Sequence, residues 1–470
     1  MKHYDFDRPS DLRDLVFQYE VVSQKGTVLS LEETAFLQLV IFFEKEHSVA
    51  KAMSVINQAI AQHKFSGILH KKKAELLLTE QNSELALESL DRAEVFGQPI
   101  KDVDMLRARA FVHLGKFNEA LELLGNLRFY EYLGRQERSE LLFTESCIHE
   151  KLQQFEQMYE SLRDALLENP DNEKALERFW VAVELCKKHQ DSIDLHHYIL
   201  DINPYNYRAW YNIGHAYYST NQYVEAIEAF EYAFLINEEF EHAYRDYAEI
   251  CFEMKYYDKA LRCYLEFVEH FEADADILAK IGQCLQYTDK IGKAKIYFFR
   301  ALGLDQRNDE VYFHIGECYA QENLWPSAIH FYRQAIRLDN EREDYLFSLA
   351  KAYMALGRNK KAAPLFLKAV EAAPEQTTYW ITYALFYLKQ GQMYKALEII
   401  EDAELNSCGA DIYFCKAAFL FMLEKDKDAM EAMREGLSID YSQHELLFEL
   451  LPDRKEDKKI KDILNYFKYE

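Results

Sequence analysis

Residues 207–240 read YRAWYNIGHAYYSTNQYVEAIEAFEYAFLINEEF, and the fold turns on these 34 residues. Trp210, Ile213, Gly214 and Tyr217 stand at i, i+3, i+4 and i+7, which is one face of a helix. The polar run Ser219-Thr220-Asn221-Gln222 interrupts the pattern, and Ala226, Phe230 and Ala233 then form a second stripe at helical spacing. Two such stripes joined by a short polar break predict a helical hairpin.

The hairpin recurs along the chain. Ala260, Ala294, Ala328, Ala362 and Ala396 follow Ala226 at intervals of 34 residues, and Ala429 comes after 33. Ala52, Ala86 and Ala120 keep the same step upstream, and Pro170 and Pro204, also 34 apart, bridge the two series. With these alanines at position 20, position 8 is small in ten of twelve units, Gly214, Ala248, Gly282 and Gly316 among them. Position 27 is Ala in eight units, and position 24 carries Phe230, Tyr264, Phe298, Tyr332 and Phe366. Small residues at 8 and 20 let two helix backbones approach, and the large ones pack around that contact. Pro170, Pro204 and Pro374 at position 32 end second helices. One hairpin cannot bury enough surface to offset the ordering of its chain, so neighbours have to stack on it.

Composition agrees. Only 15 Gly and 8 Pro occur in 470 residues, too few for three α/β or all-β domains. Apolar residues make up 49% and aromatic residues 14%, which excludes disorder despite a net charge of −25. That charge argues against nucleic acid as a partner. The start, Met1-Lys2-His3-Tyr4-Asp5-Phe6-Asp7, lacks the apolar run of a secretory signal. The longest apolar stretch, Phe36 to Phe43, is eight residues and contains Gln38, far short of a membrane span. Eight cysteines without CxxC spacing read as reduced thiols, so a cytoplasmic location is expected.

Trp210, Ile213, Gly214, Tyr217, Ala226, Phe230 and Ala233 together resemble the signature of the tetratricopeptide repeat family. The resemblance covers about residues 33–443, in units 33–66, 67–100, 101–134, 139–172, 173–206, 207–240, 241–274, 275–308, 309–342, 343–376, 377–409 and 410–443. It implies an all-α, right-handed superhelix of about twelve helical hairpins whose concave face, lined by first helices, holds a peptide.

Departures from the pattern mark out segments. Arg135-Gln136-Glu137-Arg138 is inserted between units, and position 20 becomes Met158 and then Ser192. Unit 173–206 has Trp180 at the small position 8, His196 at 24 and Ile199 at 27, so its helix packing must differ. The expected organisation is a capping helix in 1–32, an N-terminal arm of three repeats in 33–138, and two degenerate repeats in 139–206. A regular arm of seven repeats in 207–443 and capping helices in 444–470 complete it. Segment 139–206 is either a joint or a drifted stretch of one continuous coil. Leu12, Leu15, Val16 and Tyr19 share the face of a first helix opened by Ser10-Asp11 and closed by Gly26. Ser30-Leu31-Glu32-Glu33 reads as a capping box. Residues 444–451 read as a short apolar helix stopped by Pro452. Residues 453–468 read as a lysine-rich amphipathic helix carrying Ile460, Ile463, Leu464 and Phe467, which covers the last repeat or docks a partner.

Catalytic signatures are absent: there is no GxGxxG, Walker loop, GxSxG or HExxH. Cys186, His189, His196 and His197 are the best metal candidates, but adjacent histidines on a helix diverge and zinc sites favour tighter pairs, so no metal or other cofactor is expected. Cys284 and Cys318 share position 10 of successive units and read as core fillers.

By the family geometry, positions 2, 5, 6, 9, 12 and 13 of each first helix face the concave side. The resulting peptide-binding candidates are Arg208, Tyr211, Asn212, His215, Arg245, Asp246, Glu249, Lys280, Phe313, His314, Glu317, Phe347 and Lys351. The Lys and Asn set with which some members clamp a terminal carboxylate is missing, since Tyr211 and His215 stand where it begins. Over all these positions in residues 207–376, where Glu253, Asp276, Glu310 and Asp344 join Asp246, Glu249 and Glu317, four Lys or Arg stand against seven acids, which favours a peptide with basic and apolar side chains. Residues 207–274 carry 14 acids and 5 bases, whereas 275–308 carry 3 acids and 6 bases. Such alternating patches could let two copies pair. The expected function is therefore a non-catalytic protein-interaction scaffold, without nucleic acid and without membrane insertion. A self-associating structural solenoid is the alternative.

Overall fold

The computed structural model describes residues 9–24, 29–128 and 133–468. Among these every regular element is helical. Helix Pro9–Gln24 comes first, and twelve hairpins follow, from Glu33–Lys45 with Val49–Gln62 to Ala410–Met422 with Asp426–Ile439. Two short helices, Glu445–Leu450 and Lys458–Phe467, complete the order. Gly26 lies outside the described residues.

The alanine series marks the tightest contacts. Ala52, Ala86, Ala120, Ala226, Ala260, Ala294, Ala328, Ala362, Ala396 and Ala429 are all 0% exposed. Position 8 carries glycine where a ring lies directly over the backbone. A Cβ on Gly214 would sit 2.7 Å from the Phe230 ring, one on Gly282 2.6 Å from Phe298, and one on Gly316 2.5 Å from Tyr332. The proline at position 32 also has a partner. Trp210 Nε1 donates to the Pro204 carbonyl at 2.8 Å, and Trp380 Nε1 to that of Pro374 at 2.9 Å.

Each hairpin turns the same way. The residue at position 15 has a positive φ in all twelve, supplied by Gly115, Gly357 and Gly391 and by nine other residues from His47 to Glu424. The next residue's N–H closes the helix end in a Schellman bond, as Gln222 N to Tyr217 O at 2.9 Å and Lys290 N to Leu285 O at 2.8 Å. Scarce glycine therefore leaves most turns in a conformation that L-residues resist. Lys187→Gly and Glu424→Gly are each expected to stabilise by roughly 0.5–1 kcal/mol, because the strain falls with the Cβ. A chemical-denaturation midpoint that falls for both would contradict this.

Between hairpins a second device operates. Asn169, Asn203, Asn237, Asp305 and Asp339 accept a hydrogen bond from the backbone N–H two residues on. Three residues after the first, second and fourth of these, Asn172, Asn206 and Asn308 cap the next first helix, as Ser66 and Asp274 do at the equivalent place in other hairpins.

Contacts divide the chain into two compact bodies, Met1–Ala243 and Tyr244–Glu470. In the first, one apolar core runs from Met158 through Phe179 and Ile199 to Ala229, so segment 139–206 is packed into that body. In the second, a continuous core extends from Ala328 to Ile460. Leu15 and Tyr19 of the first helix are buried against the first hairpin. At the other end Ile460 is fully buried, with Ile463, Leu464 and Phe467 packed beside it. The lysine-rich helix thus covers the last repeat, although it begins at Lys458 with Asp457 as its cap.

Two local expectations are corrected. Arg135 to Arg138 form the first turn of a 17-residue helix, Arg135–Lys151. Four residues add about one turn and so preserve the apolar register. Glu137 closes that helix start by accepting from Gly134 N at 2.8 Å. Ser30 to Glu33 make no capping box: Glu32 is the cap residue without a side-chain bond, and Glu33 accepts from Ser66 Oγ at 2.8 Å in the next hairpin.

Candidate functional site

Helices Glu173–Cys186 and Tyr207–Ser219 are the first helices of adjacent hairpins in the N-terminal body. Between them opens a cleft of about 230 Å³. Leu176, Glu177 and Trp180 line one side, Arg208, Tyr211 and Asn212 the other, and Phe240 and His242 close one end. Of the groove candidates in this body, Arg208, Tyr211 and Asn212 line it directly, and His215 backs it.

Its walls are aromatic. Trp180 stacks on His215 at 4.4 Å between centroids and 25° between planes. Tyr211 meets His215 edge-on at 4.5 Å and Phe240 at 4.9 Å. Phe240 also meets Tyr207 at 5.0 Å. The Arg208 guanidinium lies 5.3 Å from the Tyr207 ring centroid and 5.8 Å from that of Phe240. Asn212 is different: it is buried, and its Nδ2 donates to Leu176 O at 2.8 Å, joining the two hairpins.

Trp180 explains the irregular hairpin. An indole cannot fit under a ring as Gly214 does, so it leans out into the cleft while Phe179 takes the core. Phe179 packs on His196, which fills position 24, at 5.4 Å. Helices Glu173–Cys186 and His189–Ile202 accordingly approach each other far less closely than the two helices of hairpin 207–240.

In the C-terminal body most of the charged candidates have partners. Lys280 bonds Glu249 at 3.0 Å and lies over the Phe252 ring, and Arg245 bonds Asp274 at 3.1 Å. Asp246, in the same helix as Glu249, is half-buried. Tyr332 donates to Glu317. Burial pushes the Asp276 carboxyl up, and the acids Asp274 and Glu249 add to the shift, while Lys280 opposes it. Phe313 packs on Tyr345 at 4.7 Å, and Phe347 stacks on Tyr379 at 4.3 Å with Lys351 Nζ 5.4 Å from the Phe347 ring centroid. His314 and Phe347 are buried, so neither offers an open surface. Flat stacking of His314 on Phe298, at 5.6 Å and 7°, makes it part of the core.

The cysteine and histidine cluster considered for a metal is spread out. His196 is fully buried and donates from Nδ1 to Ser192 O, whereas His197 is exposed and meets Tyr217 Oη at 2.9 Å. His189 lies beside the Trp180 ring. Cys284 and Cys318 are buried in the core, where burial pushes both thiols up to about 12.

Glu177, Trp180, Phe240 and His242 were not among the groove candidates. Two of them carry a signal in the sequence, a tryptophan at a small position and a phenylalanine at a capping position.

Known proteins can now be set beside this geometry. Family models described as tetratricopeptide repeat match residues 207–240 and 347–412. Among solved structures, the chain is similar to YrrB, described as a TPR protein with an unusual peptide-binding site, at 19% identity over 39% of this chain and 95% of that one, with a TM-score of 0.34. It is similar to Cut9–Hcn1, an APC/C hetero-tetramer, at 14% identity over 92% and 96% of the two chains, with a TM-score of 0.39. The C-terminal part of a TPR repeat-containing protein from Cytophaga hutchinsonii matches at 19% identity over 54% and 99%, with a TM-score of 0.40. No curated protein matches the chain.

Proposed function

Since the chain is a tetratricopeptide repeat protein, we propose that it is a non-catalytic scaffold holding an extended segment of a protein partner against its first helices. The observation that carries this reading is the cleft. Side chains at positions 2, 5 and 6 of one first helix and 4, 5 and 8 of the one before it meet around an open, aromatic-walled space. Ridges of this kind accept side chains from an extended strand and select among them by size and charge.

For the C-terminal body, the excess of acids over bases among the groove positions supports a partner with basic and apolar side chains. Glu249 and Glu317 are central to that preference. Glu249→Lys with Glu317→Lys is expected to weaken capture of a native partner by roughly tenfold or more, since two like charges replace two opposite ones. A partner set that survives the double variant unchanged would remove the acidic surface from the proposal.

A cytoplasmic location is part of the same reading. All eight cysteines stand as free thiols, and Cys251, Cys263, Cys284, Cys318 and Cys415 are buried, which suits a reducing compartment. Among the described residues no helix is long and apolar enough to cross a membrane.

A further inference from the structure

We propose that the cleft between helices Glu173–Cys186 and Tyr207–Ser219 receives an acidic side chain of the partner together with an adjacent apolar one. The proposal rests on the scaffold reading above and names what one part of its surface selects.

Two breaks in the repeat pattern converge on this cleft. Trp180 replaces the small residue of position 8 and turns its indole into the opening. Phe240 occupies the position at which Ser66, Asn172, Asn206, Asp274 and Asn308 cap the following helix. A phenyl ring cannot accept a hydrogen bond, so this hairpin gives up a side-chain cap and gains a wall. Arg208 stands beside the Phe240 ring.

Arg208 supplies the chemistry. Its Nε is buried without a hydrogen-bond partner, and no carboxylate among the described residues is paired with it. Arg245, at position 5 of the next first helix, has Asp274. Glu177 lies at the rim of the same cleft, exposed, and does not neutralise Arg208. The Arg208 guanidinium lies beside the Tyr207 and Phe240 rings, which themselves meet at 5.0 Å, and a planar carboxylate is the group that matches its fork. Leu176, Trp180 and Phe240 supply apolar wall beside it. At about 230 Å³ the cleft exceeds the roughly 150 Å³ cavity that admits benzene, so one apolar side chain fits beside the carboxylate. The carboxylate comes from within the partner's chain, because Tyr211 and His215 stand where a clamp for a chain terminus would need Lys and Asn.

The test probes the full chain against an array of N-acetylated, C-amidated dodecapeptides of randomised sequence. The wild-type protein is expected to retain peptides in which Asp or Glu directly adjoins Leu, Ile, Phe or Tyr. Changing that acid to its amide is expected to cost about tenfold in binding, the loss of one charge-assisted pair. Arg208→Gln is expected to cost the same, and on that variant the amide change is expected to cost nothing more. Arg208→Lys keeps the charge without the fork and is expected to retain the preference in part. Arg208 is half-exposed, so Arg208→Gln is expected to melt with the wild type, which separates lost recognition from lost folding. Peptides retained without an acidic preference would overturn this inference and leave the scaffold reading intact. Retention confined to a second array of the same peptides with free carboxyl termini would overturn the side-chain occupant. Two arrays that both retain nothing would sink the peptide-groove reading and the inference together.

Discussion

Replacing Gly282 by leucine is expected to destabilise the C-terminal body by about 3 kcal/mol or more, near the upper end of overpacking costs. Even a methyl group there would meet the Phe298 ring at 2.6 Å, and that ring is 0% exposed. Alanine is the informative intermediate. It gains up to about 1 kcal/mol of helix propensity over glycine and loses about 1–3 kcal/mol to the clash. The net sign is therefore expected to be destabilising. Gly125 provides the contrast, since it lies inside helix Phe117–Arg128 with nothing within 4 Å of its would-be Cβ. Gly125→Ala is expected to stabilise by about 1 kcal/mol, because only the propensity difference remains. Denaturation midpoints of the three variants check this. If Gly282→Ala and Gly125→Ala shifted alike, the ring would not be packed as described. Combining Gly282→Ala with Phe298→Leu is expected to recover part of the loss, the coupling a shared contact produces.

Acid is expected to weaken both bodies, most strongly through one histidine in each. His196 and His314 are buried, and loss of hydration lowers each ring to about 4. His196 has Nδ1 committed to Ser192 O, and its Nε2 has no partner, so a second proton there would be buried without an acceptor. The neighbouring His197 adds slightly to the lowering. His314 bonds Gln286 at 3.0 Å, with Asp344 opposing the shift and Arg342 and Lys280 reinforcing it.

The sign follows from linkage. Both folded values lie below the ordinary 6.5, so the unfolded chain binds more protons between pH 6.5 and about 4. The stabilisation is whole above pH 7 and is lost as pH falls through that window, by at most about 3 kcal/mol for each histidine. Unfolding midpoints at pH 7, 6 and 5 measure it. His196→Leu puts at position 24 the residue already present as Leu90, Leu124 and Leu162, each fully buried. His314→Asn copies Asn212, which holds the same position 6. The double variant is expected to show a shallower decline below pH 6.5, and a decline parallel to the wild type would show that other groups control it.

The fold was legible because one short pattern is written twelve times. Position 20 is buried wherever it is alanine, and the glycines of position 8 lie under the rings of position 24 in the hairpins that carry both. The capping roles of position 34 were equally available, since Asn172, Asn206, Asp274 and Asn308 recur at the repeat interval or twice that interval. Period and residue size suffice for such local features, because each helix meets its neighbours through the same few positions.

The site was less legible. Family positions named Arg208, Tyr211 and Asn212, which line the cleft, yet the same rule included His314, which the packing buries. Position alone does not say how far a side chain leans or which partner it meets. Trp180 was readable as a defect in helix packing. Only the tertiary arrangement shows its indole stacked on His215 across 35 residues of sequence, facing Arg208 and Phe240 around one cleft. The sequence alone determined the repeat, its period and the buried stripes, because hydrophobic periodicity is a local property of the chain. The tertiary structure decided which irregular residues meet, because that depends on how neighbouring hairpins pack and on where each ring comes to rest.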